Sequence, residues 1–505
     1  MRRRECRPHA EHCLSPCSSP SAVKEKAILE PSSNLTDQTA TAVISDGGAV
    51  TSGRPAASGF RARIKTLSSS GRAATAIREG TWSISGYVAT QAFRTVGTLI
   101  LARLFLEPET FGVFGLVAVF LAGLSMFSEL GIVANVVQHV RGDDARFLNT
   151  AFTIQAARGL GIWAIGLIAA YPLSLFYDQP QLLSLLAVAG VAELIRGLTS
   201  TSAWTLTRHV RLRNITLLTV AAEAVSFAVV LMWAIYSPSA WALVARSLAS
   251  AVVLTVGSHF IAQPRVTFGW DTSAARDILH FGGWISISTA AYFLGGQSER
   301  LIMGKFVTPA ELGCFSLALM ISSVPSAGIG QLVNQIFLPM MSQTVRTSRA
   351  QTVRDFLRSR HLFFGTALFA GIGFFACGKL VATLLLPPAY HMVGWMLQAL
   401  GIRVALDLFT APVSSLMLAY GRSKYAAAGN TLRLILMVCG IWAAFAYFGI
   451  REAIIVLLVA QVLSYGPLIL GLRKVLPQVW RTELRWYAFF LALLGVAAMV
   501  PWPAA

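Results

Sequence analysis

The sequence predicts an all-α polytopic membrane protein. It has two six-helix lobes related as parallel repeats, 12 transmembrane helices in all, with room for a thirteenth. Three observations predict this. Of the 505 residues, 55% are hydrophobic and 13% charged, about half the charged share of a soluble domain, and mean hydropathy is +0.63. From Thr81 onward, apolar runs of spanning length follow one another. One stretch also occurs twice: Arg103–Leu116 reads RLFLEPETFGVFGL and Gly304–Leu317 reads GKFVTPAELGCFSL. Laid over each other without a gap, they match Phe105 with Phe306, Pro108 with Pro309, Gly112 with Gly313 and Phe114 with Phe315. Each reads as a helix hairpin: proline opens the second helix, where its missing N–H costs nothing, and glycine lets that helix approach a neighbour.

Residues 1–80 differ from the rest. They are rich in Ser, Ala, Arg, Pro and Gly and hold no spanning run, so they are expected to form a disordered basic cytoplasmic tail. The basic start is followed by polar sequence, not the apolar core of a signal peptide. The true start is a separate question, although no methionine follows Met1 before the first span. Cys6, His9, His12, Cys13 and Cys17 fit no regular zinc spacing. Cys314, Cys377 and Cys439 stand alone in apolar runs and read as core residues.

Spans are expected near 82–104, 111–136, 150–176, 182–206, 216–236 and 239–262, which form an N-lobe over 81–262. A cytoplasmic linker, 263–278, leads to spans near 279–303, 311–340, 361–386, 391–420, 427–448 and 452–472, a C-lobe over 279–472. Residues 473–505 are a cytoplasmic segment with one weaker run near 486–503. Alternate loops carry about 18 basic residues, Arg360 counted among them, against about 3 on the other side. The first side is therefore cytoplasmic, the N-terminus with it, and both repeated hairpins turn outside. A second echo agrees: RHVRLRN at Arg208–Asn214 and AYGRSKY at Ala419–Tyr425 follow corresponding spans. The halves share one orientation, as parallel repeats do. The net charge of +18 is that of loops facing anionic lipid, and nucleic acid is not an expected partner.

Ionisable residues inside spans are costly and mark function. They include Arg94, Glu129, Arg158, Glu223, Arg246, Glu299 and Arg300. Two pairs share one helix face and are able to neutralise each other: Glu193 with Arg196, and Arg403 with Asp407. Arg94 has no opposite charge within one turn, so it needs a partner on another helix or an anionic ligand.

The hairpin LARLFLEPETFGVFGLVAVF with SELG at Ser128–Gly131, together with SERLIMGKFVTPAELGCFSLA at Ser298–Ala318, resembles the two helix-pair signatures of a known family. This is the oligosaccharide flippase branch of the multidrug/oligosaccharidyl-lipid/polysaccharide exporter superfamily. The resemblance covers about Thr81 to Leu472. One departure is that the family often has aspartate where Glu129 and Glu299 stand. The resemblance implies transport of polyprenyl-diphosphate-linked oligosaccharide across the bacterial inner membrane, by two lobes rocking about a central cavity. It implies membrane lipids as surroundings, a proton or sodium ion as coupling partner, a polysaccharide polymerase and chain-length regulator as neighbours, a monomer, and no cofactor.

Arginine suits a diphosphate because its planar fork binds oxygens in pairs. Arg94 and Arg300, in corresponding spans, are expected to face the space between the lobes and bind it, with Arg403 beside them. Gln297, Gln331 and Asn334 are expected to supply amides to the substrate, with Gln335, Asn135 and Gln138 further amides near the cavity. Glu129, Glu299 and Asp407 are candidates for ion coupling. Pro172, Pro325, Pro339 and Pro412 interrupt spans where bending serves alternating access. Enzyme readings fare worse. GFFACGKL at Gly373–Leu380 lacks the Ser or Thr of a phosphate-binding loop, and no HExxH or GxSxG occurs. A drug or metabolite exporter of the same superfamily, and a membrane-bound polymerase or ligase, are the alternatives.

Overall fold

The computed structural model describes residues 71–498, and among these there is no strand. The expected tail lies outside the described residues except at 71–80, which are helical, and so does the end of the last apolar run. The elements are α1 (Gly71–Leu104), α2 (Pro108–Phe127), α3 (Ile132–Gln138), α4 (Ala145–Phe176), α5 (Gln181–Gly197), α6 (Ala203–Arg208), α7 (Leu212–Tyr236) and α8 (Ala240–Ile261). Then follow α9 (Thr272–Phe306), α10 (Pro309–Leu332), α11 (Leu338–Thr347), α12 (Arg349–Leu385), α13 (Met392–Ala419), α14 (Lys424–Tyr447), α15 (Ile450–Ser464), α16 (Gly466–Val475) and α17 (Trp480–Ala498).

Nine of the described helical stretches are long and apolar enough to cross a membrane, α15 and α16 counting as one. The expected spans outside that set are α1 and α9, whose charged residues lower their hydropathy, and α5, which has 17 residues. Several boundaries differ from the sequence reading. The run 111–136 is two helices: α2 stops at Phe127 with Ser128 as its cap, and α3 begins only after Gly131, which takes a left-handed φ of 55°. The run 311–340 is interrupted by a π-helical turn, Val333–Phe337. Pro339 follows, and its missing amide cannot close the regular ladder. α12 opens at Arg349, capped by Ser348, so Arg349, Arg354, Arg358 and Arg360 are helical residues. Arg360 is buried, not in a loop. The GFFACGKL stretch lies wholly inside α12, so no phosphate-binding loop forms there.

Helix pairings recur along the chain. α4 packs on α5 as α12 packs on α13, α7 on α8 as α14 on α15, α1 on α7 as α9 on α14, and α2 on α5 as α10 on α13. The two hairpins supply the helices that meet across the middle, α2 against α10. α10 is fixed at its start by a capping box, in which Thr308 N–H donates to Glu311 at 2.8 Å and Glu311 N–H donates to the Thr308 hydroxyl at 3.3 Å.

The crossing of α2 and α10 is reciprocal. A Cβ added at Gly112 would lie 1.8 Å from the Pro309 carbonyl oxygen, and one at Gly313 would lie 1.8 Å from that of Pro108. Only glycine permits this approach. Further contacts at the hairpin end mirror one another. Arg103 donates to the Leu384 carbonyl, and Lys305 donates to that of Phe176 at 2.5 Å. The Tyr390 hydroxyl donates to Leu106 at 2.7 Å, and that of Tyr177 to Leu301 at 3.0 Å. Leu101, Leu116, Phe315, Leu317 and Met396 fill the core between them.

The stretch joining α8 to α9 is tied down along α4. Thr267 N–H donates to Asn149 at 3.0 Å, Gly269 N–H to Thr153 at 3.0 Å and Asp271 N–H to Thr150 at 2.9 Å. Arg141 reaches the Asp271 carboxylate at 2.7 Å. That hydrogen bond, with others from Ser273, holds the Asp271 carboxyl far below the usual carboxylate range. Asp271 also caps α9.

Candidate functional site

Beneath the α2–α10 crossing lies a cavity of about 380 Å³ whose wall carries Arg94, Arg196, Arg246 and Arg300 with Glu223. Phe111, Phe114 and Met320 supply an apolar side, and Thr98, Ser226, Ser247, Ser250 and Ser316 supply hydroxyls. The hairpin helices put the aromatic residues there, while α1, α5, α8 and α9 each contribute an arginine. Arg94 pairs with Glu223 on α7 at 2.6 Å, and Arg246 reaches the other oxygen of the same carboxylate at 3.4 Å. One carboxylate thus serves two guanidinium groups. Arg196 pairs with Glu193 one turn earlier on its own helix, as the spacing suggested.

Arg300 differs from the other three. Its Nη1 donates to Gln297 at 3.3 Å. Its Nε is buried without a hydrogen-bond partner, as is the Ser316 hydroxyl on the same wall. Among the described residues Arg300 makes no ion pair, whereas Arg94, Arg196 and Arg246 each have one. A guanidinium N–H buried without an acceptor is unfavourable, and an anion is one group that completes it. The wall thus carries an excess of positive charge, with apolar surface alongside.

A second cavity of about 380 Å³ shares Arg196 with the first. Here Arg158 meets Glu129 at 3.3 Å and donates to the Ser125 carbonyl at 2.6 Å and the Ser128 hydroxyl at 3.1 Å. Glu129 lies in the break between α2 and α3, where it also accepts from Gly131 N–H at 3.2 Å. It is therefore beyond the end of α2, not inside a continuous span.

The other half of the chain holds a denser polar cluster. Glu299, 2% exposed, accepts from Arg403 at 2.6 Å. Asp407 accepts from the Gln461 amide at 2.6 Å, and the Gln461 carbonyl accepts from Arg433 at 3.0 Å. Arg433 also donates to the Gly295 carbonyl at 2.5 Å and stands 4.0 Å from Asp407. Helices α9, α13, α14 and α15 are linked in this way.

Arg94, Arg300 and the neighbouring Gln297 are thus brought together. Arg403 is not with them. It faces Glu299, and it is not paired with Asp407 as the i,i+4 spacing suggested, because each finds a better-placed partner on another helix. Gln331 is exposed in the last turn of α10 and lines neither cavity. The side chains of Asn334 and Gln335 lie outside the described residues. Asn135 is buried, donating to the Gly131 carbonyl at 3.2 Å, and so serves the α2–α3 break. In the ungapped register of the hairpins Arg94 matches Gly295 and Arg300 matches Leu99, so the two arginines are not equivalent positions. The cavity's other members, Arg196, Arg246 and Glu223, carried the same intramembrane signal as Arg94. Arg433 carried it as well, as a charge inside an apolar run. Among the described residues no group of metal-ligating side chains occurs.

The model of the polysaccharide biosynthesis protein family matches residues 100–394. The succinoglycan biosynthesis transport protein ExoT of Rhizobium meliloti (strain 1021) is 24% identical over 288 residues, which are 56% of this chain and 57% of ExoT. The match thus spans somewhat over half of that relative. Among solved structures, the lipid II flippase MurJ in an inward closed conformation aligns with a TM-score of 0.63 at 9% identity, covering 85% of this chain and 94% of that one. An inward-facing multidrug resistance MATE family transporter of the MOP superfamily aligns at 0.60 and 12%, covering 80% and 96%. At such identities these likenesses show the fold alone.

Proposed function

Because the chain belongs to the polysaccharide biosynthesis protein family, we propose that it carries a polyprenyl-diphosphate-linked oligosaccharide across the bacterial inner membrane. The observation that carries the proposal is the arginine cavity, above all the buried, unpartnered Nε of Arg300 in a wall where Arg94 and Arg246 share the one carboxylate of Glu223. A diphosphate supplies the missing acceptors. The apolar wall of Phe111, Phe114 and Met320 suits the first isoprene units. An exported cationic drug would meet four guanidinium groups, which argues against the drug-exporter reading.

In this reading 81–262 and 279–472 act as two six-helix lobes, with 263–278 as the linker and α17 an additional helix. The N-terminus and the basic loops face the cytoplasm. The lobes rock about the cavity. The α2–α10 crossing seals the outer end, and loading occurs from the cytoplasmic side. Glu129, Glu299 and Asp407 are the carboxylates able to take up a coupling ion, and the protein works as a monomer alongside a polymerase.

The test is export in cells that make the lipid-linked oligosaccharide. Arg300→Gln and Arg94→Lys, checked for protein level, should accumulate the lipid-linked product on the cytoplasmic leaflet. Lysine keeps the charge but loses the bidentate fork. Normal export by well-expressed Arg300→Gln would remove the arginine cavity from the transport path.

A further inference from the structure

The two cavities that share Arg196 differ in charge. The first sets four arginines against one glutamate. The second sets Arg158 and Arg196 against Glu129 and Glu193 and is balanced, each arginine bound to a carboxylate. An anion gains nothing in the second cavity, and a neutral molecule gains little from the first. The second is also the one with sugar-binding chemistry. Trp204, half-buried on α6, offers an aromatic face. Thr199 and Thr219 bring hydroxyls, and Glu129 and Glu193 bring acceptor oxygens to the same wall. Gln155 is held there by donating to the Arg196 and Thr199 carbonyls at 3.2 and 3.1 Å, which leaves its buried Oε1 without a partner.

We propose that the second cavity is the glycan subsite, holding the first uncharged sugars of the substrate against Trp204 while the adjoining arginine cavity holds the diphosphate. This rests on the flippase reading above and adds to it a division of labour. Arg196, on both walls, stands where the sugar joins the phosphate. Its bond to Glu193 makes it the natural relay, since Glu193 accepts from a sugar hydroxyl on one side while the guanidinium faces the diphosphate on the other. Such a site recognises a neutral sugar by stacking and by its hydroxyls, and it disfavours an acidic sugar at the reducing end, where Glu129 and Glu193 would repel it.

The test is lipid binding to the purified full chain in nanodiscs, with three probes: undecaprenol, undecaprenyl diphosphate, and undecaprenyl diphosphate carrying a neutral galactosyl-glucose disaccharide. Preference for undecaprenyl diphosphate over undecaprenol reports the arginine cavity, and its absence would sink the flippase reading. The further gain on adding the disaccharide, expected to be about tenfold, reports the second cavity. Thr219→Trp, which fills that cavity, should abolish the gain and leave affinity for bare undecaprenyl diphosphate unchanged. Trp204→Ala should cut the gain about fivefold. A wild-type protein with no gain from the disaccharide would overturn the assignment while leaving the diphosphate site standing. So would a gain that survives Thr219→Trp. Loss of bare-diphosphate binding in Thr219→Trp would show that the two cavities are not divided as proposed.

Discussion

Gly112→Ala should open the end of the molecule that the two hairpins close. The added Cβ would sit 1.8 Å from the Pro309 carbonyl oxygen and 2.6 Å from its carbonyl carbon. Non-bonded carbons do not approach oxygen closer than about 3 Å, and both atoms are backbone, so no side chain can turn aside. The helices must part by about 1.2 Å at the crossing, an overpacking of the kind that costs about 1–3 kcal/mol. That is a five- to 150-fold loss in the population of the closed arrangement. Gly313→Ala should act alike through Pro108, and the double variant should cost less than the sum, since one separation relieves both clashes. Gly115→Ala is the control, because its Cβ would meet only the Ser316 hydroxyl at an ordinary 3.5 Å. Cys314, 2% exposed and next to the crossing, is a native reporter once the other five cysteines, Cys6, Cys13, Cys17, Cys377 and Cys439, are replaced. Its labelling by a membrane-impermeant maleimide should rise in Gly112→Ala and stay at the wild-type rate in Gly115→Ala. Equal labelling in Gly112→Ala and wild type, with equal export, would refute the idea that this contact holds the end shut.

Glu483 on α17 is ion-paired with the buried Arg360 on α12, so Glu483→Ala should lower stability by about 3–5 kcal/mol by stranding that arginine, read as the unfolding midpoint in detergent; an unchanged midpoint would show that the pair does not hold α17. Arg403→Ala should destabilise by leaving the buried Glu299 without its ion-pair partner, and adding Glu299→Gln should recover part of the loss in the same assay. A double variant no better than the single would mean that the pair is not what matters there. Because the Asp271 carboxyl is held below its ordinary value of about 3.9, its contribution is complete above that value and is lost only as pH falls through the still lower folded value. Asp271→Asn should therefore make the 263–271 stretch more sensitive to protease by the same factor from pH 5 to pH 8. A difference that vanishes by pH 5 would contradict the assigned pairing.

Much of the architecture was legible because burial in lipid demands long apolar runs and repeats leave matching residues. The hairpin glycines and prolines announced a close crossing, although that they cross each other emerged only in three dimensions. Boundaries failed where backbone chemistry intervened, at the left-handed Gly131 and at the π-helical turn before Pro339. Arg360 was misread because a charge near a helix start looks the same in sequence whether water or another chain segment receives it. Within the site, sequence marked the charged residues but could not pair them. Spacing sees only neighbours on one helix, which served for Glu193 and Arg196 and misled for Arg403 and Asp407. Arg300 was chosen for its place in a span, whereas its distinguishing property, a buried Nε with no acceptor, is a matter of packing.

The Arg360–Glu483 pair bears on how the protein is made. Arg360, 2% exposed, donates its Nε to Glu483 at 3.0 Å and its Nη1 to the Phe409 carbonyl at 2.5 Å, and it lies 3.8 Å over the Phe409 ring. The Tyr465 hydroxyl donates to the same carboxylate at 2.6 Å. Its counter-charge belongs to α17, and Glu483 is synthesised 123 residues after Arg360. During translation α12 is therefore made with an arginine whose partner carboxylate does not yet exist. Until α17 arrives, that guanidinium has the Phe409 carbonyl and ring but no carboxylate, and water or lipid headgroups must serve in its place. The packing of this part of the chain is therefore complete only once translation has passed α17, and a chain that ends before Glu483 leaves the Arg360 guanidinium without its counter-charge.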